Sequence, residues 1–241
     1  RLASRKQTLK STLLELRDVR FRWPGAASWT LHIPALALAA GERVFLHGPS
    51  GSGKSTLLSL IGGVLTPQQG HIRWQGQDLA AMTPSARDRF RGEHMGFIFQ
   101  QFNLLPWLSA LDNVLLAVQW SPLRRARLNS ARQDAEQLLK DLGITQAEWQ
   151  RQAGQLSVGQ QQRVAAARAL LGQPDLIIAD EPTSALDAQH QDRFVQVLDQ
   201  ACQARGSTLL FVSHDERLSR HFDRRVSLPE LQGSLALQEQ A

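Results

Sequence analysis

His47-Gly48-Pro49-Ser50-Gly51-Ser52-Gly53-Lys54-Ser55-Thr56 follows the apolar run Val44-Phe45-Leu46 and precedes Leu57-Leu58-Ser59-Leu60-Ile61. A glycine, four residues, then Gly-Lys-Ser/Thr is the pattern of a loop that cradles a nucleotide's phosphates between a strand and a helix. Each residue type has a chemical reason. Glycines let the backbone turn and bring its amides close to the phosphates. Those amides open a helix, whose positive end favours anions. Lys54 is expected to reach the β- and γ-phosphates, and the Ser55 hydroxyl to be a ligand of Mg²⁺. The overlapping Gly51-Ser52-Gly53 is no dinucleotide fingerprint, because Thr56 stands where its last glycine belongs.

The chain has 241 residues, 42% of them hydrophobic and 20% charged, which suits one large α/β domain or two modest ones with a sizeable core. Its single cysteine, Cys202, permits no internal disulfide and fits a reducing compartment. No run approaches the ~20 apolar residues of a membrane span, so a membrane role is expected to be peripheral. The net charge of +5 invites a nucleic-acid reading. The basic residues are mostly arginine and are spread along the chain, as on a solvated surface. The denser groups, Arg1, Arg5, Lys6, Lys10 and Arg124, Arg125, Arg127, are candidates for anionic lipid headgroups or nucleic acid. No cleavable apolar segment follows the first group, so it is not read as a signal peptide.

Taken in order, residues 1–12 read as a polar arm. Leu14, Leu16, then Val19, Phe21 give two short alternating stretches of a strand, and Leu31-His32-Ile33 a second strand. Between them Trp23 offers a ring for adenine to stack on, or a cover for the sheet edge. Helix is predicted over 56–64 and 85–91, with strands over 70–76 and 96–99, the latter delivering Gln100-Gln101. From about 102 to 172 the patterns are helical, as in a helical insertion into an α/β core. Apolar Leu176-Ile177-Ile178-Ala179 resembles a parallel strand buried on both faces, and a helix over 188–204 with a strand over 208–212 continues the alternation.

The strand at 176–179 ends in Asp180-Glu181. An acid at the end of a strand neighbouring the phosphate loop supplies counter-charge to Mg²⁺, and Glu181 is placed to deprotonate a water attacking in line. Leu156-Ser157-Val158-Gly159-Gln160 opens another helix with Ser157 as N-cap, a second set of amides suited to a phosphate.

Gly48 to Ser55, Gln100, Leu156 to Gln160, Leu176 to Glu181, Ser184 to Asp187, and His214 stand in the order and spacing of the ATP-binding cassette family, which the chain resembles from about 13 to 228. The resemblance implies a P-loop α/β fold with a mostly parallel core sheet, a small antiparallel β subdomain and a helical subdomain at about 102–172. It also implies an ATPase that works as a head-to-tail dimer closing over two ATP molecules. Carried over, Gly48, Pro49, Ser50, Gly51, Ser52, Gly53, Lys54 and Thr56 hold phosphates, while Ser55, Gln100 and Asp180 hold Mg²⁺. Glu181 polarises the attacking water, His214 contacts the γ-phosphate and Trp23 stacks on adenine. Ser157, Gly159 and Gln160 serve the partner's ATP, and Asp187 lies in the loop that crosses between subunits. Val158 departs from the usual glycine of its segment.

Phe99 to Pro106, with Leu111-Asp112-Asn113-Val114, further resembles the ATPases of the macrolide-export and lipoprotein-releasing group. The expected function is the ATP-hydrolysing subunit of such an exporter or mechanotransmission complex, peripheral at the cytoplasmic face of the inner membrane. Its permease is expected to be contacted through about 102–113, where Phe102, Leu104, Leu105 and Trp107 form an apolar patch that reads either as this interface or as core of the helical lobe. No nucleic acid is expected. The rival readings are a soluble cassette ATPase acting on nucleic acid or ribosomes, and a slow nucleotide-dependent switch, the latter motivated by Val158.

Overall fold

The computed structural model describes residues 11–233. Most of the arm expected at 1–12 lies outside the described residues, and Thr12 already opens the first strand. In chain order the first half comprises β1 (Thr12–Phe21), β2 (Leu31–Ala39), β3 (Arg43–His47), α1 (Lys54–Ile61), β4 (Gln69–Trp74), β5 (Gln77–Asp78), α2 (Pro84–His94) and β6 (Met95–Ile98). There follow α3 (Ala110–Gln119), α4 (Pro122–Ala126), α5 (Ala131–Asp141), α6 (Val158–Leu170), β7 (Leu176–Asp180), α7 (Ala188–Arg205), β8 (Thr208–Val212), β9 (Arg224–Ser227) and α8 (Leu228–Gly233).

Two sheets form. One is antiparallel in the order β2-β1-β4-β5, the other parallel throughout in the order β6-β7-β8-β3-β9. The split alternation of β1 has a local cause: its pairing with β4 slips between Arg17 and Arg20, and Asp18 takes a left-handed φ of 49°. That bulge restores phase, so Leu14, Leu16, Val19 and Phe21 all face the core.

Alternation on the parallel strands divides the core in two. Val44, Leu46, Leu176, Ile178, Leu210 and Val212 pack with the antiparallel sheet and α1, whereas Phe45, Ile177, Ala179, Leu209 and Phe211 pack with the helices. Each large apolar side chain so buried contributes roughly 1.5–3 kcal/mol. The central strands are therefore held from both faces.

Between β6 and β7 the described chain is helical, and α3, α5 and α6 share one core. The joint with the sheet is tight. A Cβ at Gly96 of β6 would lie 2.2 Å from the carbonyl oxygen of Ala169 in α6, so only glycine lets strand and helix end approach this closely.

Arg124 occupies the same joint, which corrects the surface role expected for it as one of the group at 124–127, whereas Arg125 is exposed. Its guanidinium is 4% exposed and donates to the carbonyls of Leu171 (2.9 Å from Nε), Ala169 (2.8 Å) and Met95 (3.4 Å). It thus satisfies the carbonyls at the end of α6, where the negative end of the helix favours a cation. Burial, with a smaller contribution from Arg127, pushes its pKa down to about 10, so it remains charged at neutral pH. Arg127 turns inward too, donating to the Gln173 carbonyl and pairing with Asp175 at 3.6 Å.

Arg124→Ala is expected to lower unfolding free energy by about 3 kcal/mol in urea titration, because several carbonyls lose a charged donor at once. A loss within the half kcal/mol typical of a surface substitution would show that the guanidinium does not hold the joint.

Candidate functional site

The phosphate-loop sequence leaves β3, which lies between β8 and β9 in the parallel sheet, and enters α1 through Gly53. Gly53 has φ 96°, a left-handed conformation that strains any residue with a side chain, and a Cβ there would also displace Leu31 Cδ2, 2.6 Å away. No side chain caps α1 and no acid stands in its first turn, leaving its first amides for an anion. The loop closes on itself. Lys54 Nζ donates to the carbonyls of Gly48 (2.7 Å) and Pro49 (3.0 Å). Ser52 Oγ is buried and makes no hydrogen bond, a polar atom whose partner a phosphate oxygen would supply. From behind, the α8 side chain Gln232 donates to the Ser52 carbonyl (3.1 Å).

The strand order differs from the expectation in one respect. Asp180 does not end a strand adjacent to β3, because β8 lies between β3 and β7. Two strand spacings therefore separate the loop from the carboxylates, about 10 Å. The interposed β8 adds His214 just beyond its end, so three parallel strands converge at one edge. Lys54 spans the gap, its Nζ 3.9 Å from Glu181 Oε1, and His214 Nδ1 lies 2.6 Å from Glu181 Oε2. A cavity of about 430 Å³ beside the loop is lined by Gly48, Pro49 and His214, among others.

Glu181 is itself strained, with φ 48°, and its N–H donates to the Val212 carbonyl at the end of β8 (2.9 Å). Non-glycine residues in this conformation cost of order 1–3 kcal/mol and need support from their surroundings. Part of that support was missed in the sequence: Gln162 of α6, 1% exposed, donates to the Pro182 carbonyl at 2.8 Å. The available signal was a glutamine on the buried stripe of α6, in line with Ala166 and Leu170.

Ser55 and Asp180 line one cavity of about 190 Å³ with Phe99, the residue before Gln100. Hydroxyl, carboxylate and amide oxygen are all hard donors, a set that fits Mg²⁺ sharing its remaining positions with phosphates and water. Trp23 is 48% exposed and stands edge-on to Phe21, with centroids 5.2 Å apart.

Other expected site residues are held elsewhere. Ser157 caps α6 in a reciprocal box with Gln160, which also bonds Glu148, and none of these bonds reaches the phosphate loop. Gly159 lies in the first turn, and Val158 beside it is 48% exposed. Asp187 caps α7 and pairs with His190 at 2.7 Å; those hydrogen bonds hold its carboxyl below the usual range.

The apolar patch expected over 102–107 divides. Phe102 is buried in the helical core, Leu104 and Leu105 are half-buried, and Trp107 is 65% exposed. Asn113, wholly buried, fixes the turn before α3: its Oδ1 accepts from Leu105 N–H (2.8 Å) and its Nδ2 donates to the Leu105 and Ser109 carbonyls (both 3.0 Å). The same turn bonds the strand of chain leading to Ser157, through Ala153 N–H to Leu108 and Gly154 N–H to Pro106.

With this geometry in hand, the family model described as ABC transporter matches residues 31–184. The chain belongs to the ABC transporter family. It is an ATP-binding, ATP-hydrolysing cassette, the nucleotide-binding component of a membrane transport system. Among curated relatives it is 46% identical to the lipoprotein-releasing system ATP-binding protein LolD of Anaeromyxobacter dehalogenans, over 82% of each chain. It is 40% identical to the macrolide export ATP-binding/permease protein MacB of Rhodopirellula baltica, over 81% of this chain but only 28% of that longer protein. Among solved structures, the dimeric bacterial ABC transporter cassette MJ0796 superposes with a TM-score of 0.77 at 33% identity, covering 90% of this chain and 94% of that one. The same cassette is also known as a dimer in a post-hydrolysis state bound to ADP and Pi.

Burial and the neighbouring Glu181 raise the Asp180 carboxyl above its ordinary range, opposed by Lys54. The folded protein thus binds that proton more tightly than the unfolded chain, so ionised Asp180 subtracts stability at neutral pH, and the deficit fades as pH falls toward the unfolded pKa. Asp180→Asn is accordingly expected to raise the melting temperature of the nucleotide-free cassette at pH 7 by roughly 1–4 °C, with a smaller gain at lower pH. A lowered melting temperature at pH 7 would show that the attraction of Lys54 outweighs the cost of burial.

Proposed function

We propose that this cassette drives a transporter of the macrolide-export and lipoprotein-releasing type. It would act as a homodimer, peripheral at the cytoplasmic face of the membrane that holds its permease. The carrying observation is the convergence of Lys54, Glu181 and His214 at the phosphate loop. The helices at about 102–172 form the helical subdomain of one nucleotide-binding domain extending over 13–241.

In this reading, nucleotide binding exchanges the loop's internal bonds for bonds to phosphate. Lys54 leaves the Gly48 and Pro49 carbonyls for the β- and γ-phosphates, which the loop amides and Ser52 hydroxyl also receive. Ser55, Gln100 and Asp180 would hold Mg²⁺, whose charge would offset that developing on the phosphates. Trp23 stacks on the adenine. His214 moves from Glu181 to the γ-phosphate, leaving one Glu181 oxygen for water. The water oxygen bonds to the γ-phosphorus as the bond to the β–γ bridging oxygen breaks; its proton passes to Glu181, and ADP and inorganic phosphate result.

The strand order supports this assignment, since it brings the three groups to one edge from three separate parts of the chain. The second ATP contact would come from the partner subunit, through Ser157, Gly159 and Gln160 in the first turn of α6. Asp187 would cross the dimer seam. The identities of 46% to a LolD and 40% to a MacB support the transporter type, and the dimeric MJ0796 cassette supports the assembly. No helix among the described residues is long and apolar enough to cross a membrane.

Glu181→Gln tests the chemistry. Phosphate release should fall by about 10²–10⁴-fold, the usual worth of a general base, while ATP is retained and the dimer accumulates in size-exclusion chromatography. Undiminished phosphate release would remove Glu181 as the base.

Trp107 tests the membrane contact. Copurification of the tagged cassette from native membranes in mild detergent should recover a permease with few membrane helices and a large external domain. Trp107→Asp should reduce that recovery several-fold, since a buried interfacial tryptophan typically carries 2 kcal/mol or more. ATP binding should be unaltered. Full recovery with the variant would move the contact away from this turn.

A further inference from the structure

Directly after Gln100 the chain makes an unusual reversal. Phe102 and Asn103 are consecutive non-glycine residues in the left-handed region, with φ of 58° and 49°. Phe102 N–H donates to the Phe99 carbonyl (2.9 Å) and Asn103 N–H to that of Gln101 (2.6 Å). Residues with side chains disfavour this conformation, and two in succession persist only where their surroundings over-determine them.

Two things do so here. The Phe102 ring is buried in the helical core. Arg168 then donates from Nη1 to the Asn103 carbonyl and from Nη2 to the Phe102 carbonyl, each at 2.6 Å. Both arms of one guanidinium are thus committed to the strained pair, and its charge strengthens both bonds. Among the described residues Arg168 makes no ion pair, and burial lowers its pKa from the ordinary value. A lysine ammonium lacks the planar fork that reaches two carbonyls in parallel.

Arg168 stands in the last turn of α6, whose first turn follows Ser157. At 1.5 Å per residue the two lie about 16 Å apart along one helix. The other side of that turn is fixed by Arg124, which donates to the Ala169 and Leu171 carbonyls. Any tilt of α6 must therefore appear at Phe102-Asn103, two residues beyond Gln100.

We propose that Arg168 is a positioning residue for Gln100: it holds the left-handed turn that sets the place of the Gln100 amide and transmits the setting of α6 to it. This rests on the reading of Gln100 as a ligand of Mg²⁺ bound with the nucleotide. Asn103 is exposed, so its role in the turn is conformational and can be altered without opening the core.

The test is calorimetric and needs no turnover. The dissociation constant of a non-hydrolysable ATP analogue is measured with Mg²⁺ and with EDTA, and the ratio gives the tightening due to metal. Gln100→Ala and Arg168→Lys should each reduce that tightening about tenfold, the usual cost of disturbing a ligand or its support, with the EDTA value unchanged. The double variant should be no worse than either single one. Asn103→Gly, which accepts the left-handed turn without a clamp, should restore the tightening in the Arg168→Lys background.

An unchanged ratio in Arg168→Lys beside a reduced one in Gln100→Ala would overturn the inference while leaving Gln100 as a ligand. An unchanged ratio in Gln100→Ala would overturn the reading of Gln100 and the inference with it. Failure of Asn103→Gly to rescue would reduce Arg168 to general packing. Should Arg168→Lys not fold, Asn103→Thr puts a β-branched residue into the turn with Arg168 intact. It should show the same tenfold loss, and an unaltered ratio there would equally overturn the inference.

Discussion

Two carboxylates, Asp180 and Glu181, close one buried strand, and a single ammonium, Lys54, faces them across the width of β8. Like charges this close are tolerable only where a cation and hydrogen bonds share the load. Lys54 is divided between Glu181 and two loop carbonyls, while His214 takes the other Glu181 oxygen. Ser52 Oγ makes no hydrogen bond, and burial beside Glu181 raises the Asp180 carboxyl. The parallel sheet exists to make that arrangement rigid: β3, β7 and β8 are buried on both faces, so their ends cannot drift apart.

The other organising element is α6. Its N-terminus carries Ser157, its middle holds the backbone after Glu181 through Gln162, and its last turn holds the backbone after Gln100 through Arg168. Its end is fastened to β6 by Arg124 and by the close approach at Gly96. One rigid helix therefore carries Ser157 and holds both the strained backbone at Glu181 and the turn beyond Gln100. The turn over 105–109, pinned by Asn113, bonds to the segment that feeds α6. A displacement imposed near Trp107 has a short bonded path to all three.

Much of this was legible in the residues. The phosphate loop is local: its glycines, lysine and flanking strand and helix lie within one stretch, so spacing alone reveals it. The paired acids and the serine-capped helix are equally local. What eluded the sequence is long-range. That β8 inserts between β3 and β7 depends on sheet order, which no alternation pattern encodes. Arg124 reads as part of a surface cluster because its partners are backbone carbonyls of residues 95, 169 and 171, invisible as side-chain types. Phe102 reads as part of an exposed apolar patch because the left-handed turn that buries it belongs to no propensity of phenylalanine or asparagine. The bulge at Asp18, in contrast, was present as a break in alternation between Leu16 and Val19.

The arginine-rich composition follows from the same physics. Arg124, Arg127 and Arg168 donate inward to carbonyls, Arg43 joins Asp199 and Asp223, and Arg224 reaches both Glu42 and the Ala37 carbonyl. Such junctions require several donors in one plane, which guanidinium has and ammonium lacks. Where a carbonyl rather than a carboxylate receives the cation, the positive charge enters the total without an acid to cancel it. A net charge of +5 can therefore arise from structural capping of strand and helix ends, and it is a measure of how this fold is joined before it is a statement about any anionic partner.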